Sequence, residues 1–91
     1  MMQLYRIYTE KKNIGAIENL LNIYFKGYTL INGTGYYEGE KENSLIVEVI
    51  LEPSGTNLNH DNLQKIADEI KKFNNQKSVL ITCSNIVADF I

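Results

Sequence analysis

The sequence predicts an α+β fold in which two helices lie on one face of a four-stranded antiparallel sheet. Two observations lead to this prediction. Apolar residues alternate with polar ones or cluster with β-branched residues in four segments, and they recur at helical spacing in two others. These segments follow the order strand, helix, strand, strand, helix, strand. Because two helices cover only one face and each crossover is right-handed, the first and third strands should be central.

The first strand is predicted from Gln3 to Thr9, where Tyr5 and Ile7 share one face of the alternation. Asn13 is expected to cap the first helix by accepting a hydrogen bond from a free amide of its first turn. Gly27 is expected to end that helix, because glycine tolerates the left-handed conformation common at helix ends. The apolar stripe between these two positions comprises Ile14, Ile17, Leu20, Leu21, Tyr24 and Phe25.

The middle of the chain predicts a hairpin. The second strand runs from Tyr28 to Tyr37, and the strongest strand pattern of the sequence runs from Ser44 to Leu51, where β-branched residues are dense. Between them, Gly39 to Asn43 is polar and typical of a turn. Few residues join the two strands, so they should pair directly with each other.

The last third of the chain predicts a helix and a strand. A helix should begin near Asn59 or Asp61, and a strand is expected from Ser78 to Ser84. The segment from Ile86 to Ile91 is apolar and either extends this strand or adds a short fifth one. The apolar stripe of the second helix comprises Leu63, Ile66, Ala67, Ile70 and Phe73. Together the elements predict one ferredoxin-like β-α-β-β-α-β sandwich over residues 1–91.

Composition excludes several classes of function. The chain has nine basic and eleven acidic residues and a net charge of −2, so it lacks the basic excess of a protein that binds nucleic acid. No segment approaches the length of apolar sequence that spans a membrane, and the start of the chain does not resemble a signal peptide. With one cysteine, a cytoplasmic location is expected. Abundant Asn, Ile and Lys are typical of an AT-rich bacterial or phage genome.

Catalytic and metal-binding signatures are weak in this sequence. His60 is the only histidine and cannot form a metal site with Asp61 alone. Cys83 lies in an apolar strand and is expected to be a buried, inert thiol. Glu38, Glu40 and Glu42 alternate near a turn, where charged residues are usually solvated. We therefore expect no catalytic residue, no metal and no cofactor.

The segment from Thr29 to Ser44 is the best candidate for a binding site. Glycine within a strand marks a bulge, a bend or a close approach by a ligand or another backbone, and Gly33 and Gly35 are such residues. Tyr36 and Tyr37 should point to opposite sides, so that one enters the core and the other offers its ring to a partner. A twisted hairpin without a ligand explains the same pattern. The candidate ligand-binding residues are Gly33, Gly35, Tyr36, Tyr37 and Glu38.

The pattern formed by Thr29, Gly33, Gly35 and Tyr36, followed by the strand LIVEVIL, resembles the PII-like signalling proteins and their CutA-like relatives. The resemblance implies a trimer in which small ligands, often adenine nucleotides, bind in clefts between subunits lined by the glycine-rich strand end. Two features differ from the family. The segment from Glu38 to Asn43 is much shorter than a PII regulatory T-loop, and no pair of Arg or Lys residues lies near the C-terminus.

The sheet face away from the helices should carry an apolar patch, which is typical of an interface. Alternation places the same face of the two central strands outward, with Arg6 and Glu48 able to pair across the ladder. A desolvated pair of this kind can define the strand register. The predicted interface residues, called the open-face patch below, are Leu4, Arg6, Tyr8, Ile46, Glu48 and Ile50.

Three functions remain open from the sequence. The first is an oligomeric, PII-like module that binds or senses a small molecule, such as a nucleotide or an anionic metabolite held between subunits. The second is a phage- or plasmid-encoded regulator that inhibits a host system by binding a protein. The third is an enzyme that acts through Tyr37 or Glu38 in a cleft. We favour the first, in the form of a homotrimer.

Overall fold

The computed structural model describes residues 1–91 and contains four strands and two helices. In chain order these are β1 (Met2–Glu10), α1 (Ile14–Tyr24), β2 (Thr29–Tyr37), β3 (Glu40–Leu51), α2 (Leu58–Asn74) and β4 (Leu80–Ile86). The predicted order of elements is confirmed. Neither helix has the length and apolar composition needed to cross a membrane.

The strands form one antiparallel sheet in the order β2-β3-β1-β4, so the predicted central position of β1 and β3 is confirmed. In the central ladder Tyr5 lies opposite Val49, and Ile7 lies opposite Val47. Because directly opposed residues share a face, these four side chains all point toward the helices. The fold is therefore the predicted ferredoxin-like sandwich.

The core lies between the sheet and the two helices. Apolar side chains alternate along β1 and β3, and α1 and α2 bury one stripe each, which follows from the two-residue and 3.6-residue periods of the elements. Ile17 and Leu21 are the buried residues of α1. The cluster consists of Tyr5, Ile7, Ile17, Leu21, Leu45, Val47, Val49, Leu63, Ile66 and Ile70.

The ends of α1 differ from the prediction. Asn13 adopts a left-handed conformation and makes no capping hydrogen bond to α1. Its amide nitrogen instead donates to the Phe73 carbonyl at 2.8 Å and to Asn74 Oδ1 at 3.0 Å, because the end of α2 lies beside it. The prediction for Gly27 is also wrong, since α1 ends at Tyr24 and Phe25 is already extended.

A polar cluster joins the end of α2 to the end of β1. The buried Asn74 donates through Nδ2 to Thr9 Oγ1 at 3.1 Å, to the Glu10 carbonyl at 3.2 Å and to Gln76 Oε1 at 3.1 Å. Thr9 is buried as well, and its hydroxyl donates to Gln76 Oε1. Buried polar groups need such partners, so this network positions the β1–α1 connection.

Candidate functional site

The β2–β3 hairpin extends past the rest of the sheet at the end where β1 stops. Ser44 of β3 is paired with Glu10, the last residue of β1, and residues 40–43 pair only with β2. One further contact holds the base of this extension, a hydrogen bond of 3.0 Å from the Lys11 amide to the Asn43 carbonyl. We call residues 34–43 the hairpin arm.

The turn of the hairpin arm is tighter than predicted. Gly39 to Asn43 was expected to be a turn, but β3 begins at Glu40 and only Glu38 and Gly39 join the strands. Both turn residues have positive φ, 50° and 82°, as a two-residue type I′ turn requires. This turn matches the twist of the flanking strands, so the ladder continues to the tip of the arm.

Tyr36 and Tyr37 dominate the surface of the hairpin arm. They lie opposite Lys41 and Glu40 and point to opposite faces, as predicted. The prediction that one of them enters the core is wrong, because each is 71% exposed. The helices do not reach this end of the sheet, so both rings and both hydroxyls are available to a partner.

The two strand glycines lie on the face away from the helices, opposite Ser44 and Glu42. A Cβ on Gly35 would lie 2.5 Å from Ser44 Oγ and 3.3 Å from two atoms of Glu42, whereas one on Gly33 would make an ordinary contact of 3.8 Å with Ile46. Neither glycine has a positive φ. Gly35 therefore allows a close approach by side chains of its own hairpin, while the surface of Gly33 is more open.

Basic groups lie near both ends of the hairpin arm, Lys12 at its base and Lys41 close to its turn. Lys12 Nζ is 2.6 Å from Glu10 Oε2, and Lys41 stands opposite Tyr36. Glu38 occupies the turn itself. The structure thus places the five predicted ligand-binding residues along one stretch, from Gly33 next to the arm to Glu38 in its turn, with both charge signs close by.

The open-face patch is continuous across the central strands. Leu4 lies opposite Ile50, and Tyr8 lies opposite Ile46. Between these pairs, Arg6 Nε donates to Glu48 Oε2 at 2.9 Å, as the sequence predicted. The Glu48 carboxylate, with a smaller contribution from Tyr8, raises the pKa of Arg6 above its usual value. The patch therefore combines apolar area with one ion pair at its centre.

The prediction that Cys83 is a buried thiol is wrong, because this residue is exposed. It lies opposite Tyr5 on the helix side of β4, but β4 is the edge strand and the helices do not cover the position of Cys83. Burial, with a contribution from the neighbouring Cys83 thiol, raises the pKa of Tyr5. The structure contains no group of three or more His, Cys, Asp and Glu side chains that could hold a metal ion.

Sequence reasoning missed two shallow grooves near the end of α2. One, of about 300 Å³, lies between α2 and β4 and is lined by Gln64, Ala67, Asp68, Lys71, Ser78, Val79 and Ile81. The other, of about 380 Å³, continues along α2 to Gln76 and has no apolar lining. Neither touches the hairpin arm. The sequence feature that could have predicted the groove between α2 and β4 is the apolar run of β4, which two helices cannot cover completely.

No protein-family model matches this sequence, and no curated protein matches it. Solved structures do. A phage SAM lyase in complex with S-methyl-5′-thioadenosine is 15% identical with a TM-score of 0.72, over 91% of this chain and 80% of the lyase. CPII, a nitrogen regulatory PII-like protein from Thiomonas intermedia K12 bound to ADP, AMP and bicarbonate, is 15% identical with a TM-score of 0.64, over 99% and 96%.

A third similar structure is the B. subtilis GlnK–ATP complex, which is 19% identical with a TM-score of 0.64, over 93% of this chain and 81% of GlnK. At these identities the likeness concerns the fold, and it extends over nearly the whole chain. The fold relationship to PII-like proteins that the glycine-rich strand predicted is therefore confirmed.

Proposed function

We propose that this chain is a homo-oligomeric, PII-like regulatory module that binds a nucleotide or a related anionic metabolite between its subunits. The observation that carries the proposal is shared chemistry among structures of the same fold. CPII is bound to ADP and AMP as well as bicarbonate, GlnK to ATP, and the phage lyase to S-methyl-5′-thioadenosine, so each of the three holds a ligand with an adenosine group. An adenosine-bearing ligand is accordingly the first class to test.

The hairpin arm is the proposed site. The exposed ring of Tyr36 or Tyr37 offers a flat surface on which a base can stack. The Glu38 carboxylate can accept hydrogen bonds from sugar hydroxyls. Gly33 leaves its strand open to approach, and Gly35 keeps the neighbouring Ser44 and Glu42 close to the backbone. The two grooves beside α2 do not reach these residues, and both tyrosines stand exposed, which favours a site completed by a second copy.

The open-face patch is the proposed subunit interface, and a trimer is the favoured assembly. Ile46 and Ile50 leave apolar area on a sheet face that no helix covers. Burial of this area in an oligomer would stabilise a thin core. The substitution Ile46→Glu places a charge in the patch, so it should dissociate the oligomer while the circular dichroism spectrum is retained. A wild-type protein that is monomeric at high micromolar concentration in light scattering would rule this out.

Native mass spectrometry and isothermal titration calorimetry test the ligand. Titration with ADP, ATP, AMP and S-methyl-5′-thioadenosine should give heat with at least one of them. Replacing the stacking tyrosine, by Tyr36→Ala or Tyr37→Ala, should raise the Kd about tenfold, since stacking of a base on an aromatic ring is worth about 1–3 kcal/mol. Tyr24→Ala is the control, because Tyr24 is also partly exposed but lies on α1.

The same arm favours a second function, a phage- or plasmid-encoded inhibitor that binds a host protein. Tyrosine is enriched among residues that dominate protein interfaces, and two exposed tyrosines lie here beside Glu38, Glu40 and Lys41. Absence of heat with every small molecule, together with a lysate complex lost in the Tyr36→Ala, Tyr37→Ala double variant, would favour this function over ligand binding.

The lack of enzymatic activity stays a prediction, and the similarity to a lyase supplies its test. The protein is incubated with S-adenosylmethionine, and the mixture is analysed by mass spectrometry. We expect no S-methyl-5′-thioadenosine. Its formation at a rate above the uncatalysed background, and its loss in Tyr37→Phe or Glu38→Gln, would show that the chain is an enzyme that acts through the arm.

A further inference from the structure

The outer edge of β4 lacks the features that normally keep sheet edges apart. β4 pairs only with β1, so its other side presents unpaired backbone groups. Natural edge strands usually carry lysine, proline or a bulge that prevents pairing with another chain. Residues 78–88 contain no charged residue and no proline. This edge is therefore suited to pairing with another strand.

Residues 87–91 do not cover this edge, although they are largely apolar. They form no strand, so the predicted extension of β4 ends at Ile86 and the short fifth strand does not form. Leu80, at the other end of β4, is 59% exposed.

We infer that β4 pairs with β4 of a second copy in an antiparallel arrangement. The two copies are related by a two-fold axis that passes between their two Cys83 residues, which we call the register through Cys83. This contact would join two four-stranded sheets into one sheet of eight strands. A two-fold axis perpendicular to the sheet keeps both pairs of helices on the same side. This symmetry requires that two residues paired across the axis point to the same face of the sheet. A register shifted by one residue would pair residues from opposite faces, so such registers are excluded.

The register through Cys83 makes the strand complementary to itself. The pairs that it creates between the two copies are Thr82 with Ser84, Ile81 with Asn85, Leu80 with Ile86, Val79 with Val87, and Lys77 with Asp89. Thr82 and Ser84 meet next to the centre, Ile81 meets the polar Asn85, two aliphatic pairs follow, and opposite charges meet at the ends. The Thr–Ser pair and the oppositely charged pair are of kinds that stabilise an antiparallel ladder.

Neighbouring registers lose this complementarity. With the axis through Thr82, the Lys77 ammonium would face Val87, and with the axis through Ser84, the Asp89 carboxylate would face Val79. Val87 is 82% exposed in the single copy and faces Val79 in the register through Cys83. The two charges that flank the uncharged strand thus select one register.

The groove between α2 and β4 supports the same contact. It runs along the helix side of the β4 edge, and its apolar lining comes from Ala67, Val79 and Ile81. In the two-fold arrangement the grooves of the two copies adjoin, and the two α2 helices run antiparallel on either side of them. Asp68 and Lys71 border the groove and present opposite charges to the second copy.

The contact is separate from the open-face patch, because it uses β4 rather than the central strands. It can therefore be tested in the Ile46→Glu background, in which the proposed open-face oligomer is broken. We expect that variant to remain a dimer by native mass spectrometry and light scattering. Adding Leu80→Glu should weaken the dimer at least about tenfold, because a carboxylate would face an aliphatic residue. Leu58→Glu is the control, since Leu58 is 57% exposed but lies at the start of α2.

Charge reversal and cross-linking test the register. Lys77→Asp and Asp89→Lys should each weaken the dimer roughly two- to fivefold, and the double variant should restore it. Opposed residues of an antiparallel pair have Cα atoms about 4.5–5.5 Å apart, within the range of a disulfide. Diamide, which accepts two electrons and two protons, should therefore convert the folded protein to a Cys83–Cys83 dimer faster than it does the protein in urea.

Three results would overturn the inference. The first is a monomer in the Ile46→Glu variant at high micromolar concentration, provided that its circular dichroism is native. The second is equal behaviour of Leu80→Glu and Leu58→Glu. The third is cross-linking of Cys83 that is no faster in the folded than in the unfolded protein. None of these results bears on ligand binding at the hairpin arm, so the two proposals can fail independently.

Discussion

The two halves of the β2–β3 hairpin share one ladder but differ in what covers them. Leu45, Val47 and Val49 of the inner half are fully buried under the helices, whereas Tyr36 and Tyr37 of the hairpin arm are exposed. Backbone pairing is continuous through both halves. The difference shows that strand pairing alone defines the shape of the arm, while side-chain packing on α1 and α2 supplies the stability of the fold.

A core substitution should produce the largest difference between the two halves. Ile66→Ala removes a fully buried side chain that packs on the inner half, and it should lower the free energy of unfolding by about 2–5 kcal/mol. Tyr36→Ala and Tyr37→Ala should change it by less than about 0.5 kcal/mol. Urea denaturation followed by circular dichroism, at one protein concentration, measures all three. A loss of comparable size in Tyr37→Ala would show that the arm is part of the core.

The polar cluster at the base of the arm should give the next largest effect. Asn74→Ala would leave Thr9 and the Glu10 carbonyl without their buried donor, so we expect a loss of about 1–3 kcal/mol in the free energy of unfolding. Lys65→Ala, on the exposed side of the same helix, is the control for the change in helix composition. Equal stability of the two variants would mean that water replaces the Asn74 amide.

The turn of the arm allows a smaller and more local change. Gly39 has a φ of 82°, so Gly39→Ala should destabilise the turn by about 1–2 kcal/mol. Glu38→Asn should instead stabilise the turn by about 0.5 kcal/mol, because asparagine tolerates positive φ and Asn-Gly favours this turn. Amide hydrogen exchange of residues 40–43 measures both. If the amides of β1 respond as strongly as those of the arm, the two halves open as one unit.

Alkaline pH should produce the smallest effect and should act only on the covered half. The pKa of Tyr5 is raised, so the folded state retains the phenol proton more strongly than the unfolded state. This contribution to stability is complete below about pH 10 and decreases as the pH rises toward the folded pKa. Tyr5→Phe should show a shallower loss of stability above about pH 10 than the wild type, while Tyr36→Phe should not. Identical pH profiles for the two variants would contradict the cause assigned to Tyr5.

Much of the fold could be predicted because its periodicities are strong. The alternation in β1 and β3, and the stripes of α1 and α2, assigned Tyr5, Ile7, Val47 and Ile66 to the core, where they are found. The Arg6–Glu48 pair followed from the same alternation. The ends of the elements were harder to predict. Asn13 has the residue type of a helix cap, but the Phe73 carbonyl and Asn74 offer it partners that lie 60 and 61 residues away.

The candidate site, like the fold, could be predicted only in part. The glycine-rich strand and the paired tyrosines were evident, but their exposure depended on how far the helices reach along the sheet. The prediction from apolar neighbours that Cys83 is buried is wrong, because β4 is an edge strand that the helices cover only in part.

The sequence by itself determined the order of the elements, the face of each strand and helix that turns inward, and the presence of a turn near Gly39. These properties depend on neighbours within a few residues, where backbone geometry and hydrophobic periodicity act directly. Only the tertiary structure decided which side chains are covered at the sheet edges and beyond the end of β1. Coverage depends on contacts between segments distant in the chain, which here leave the hairpin arm and the edge of β4 free to meet a partner.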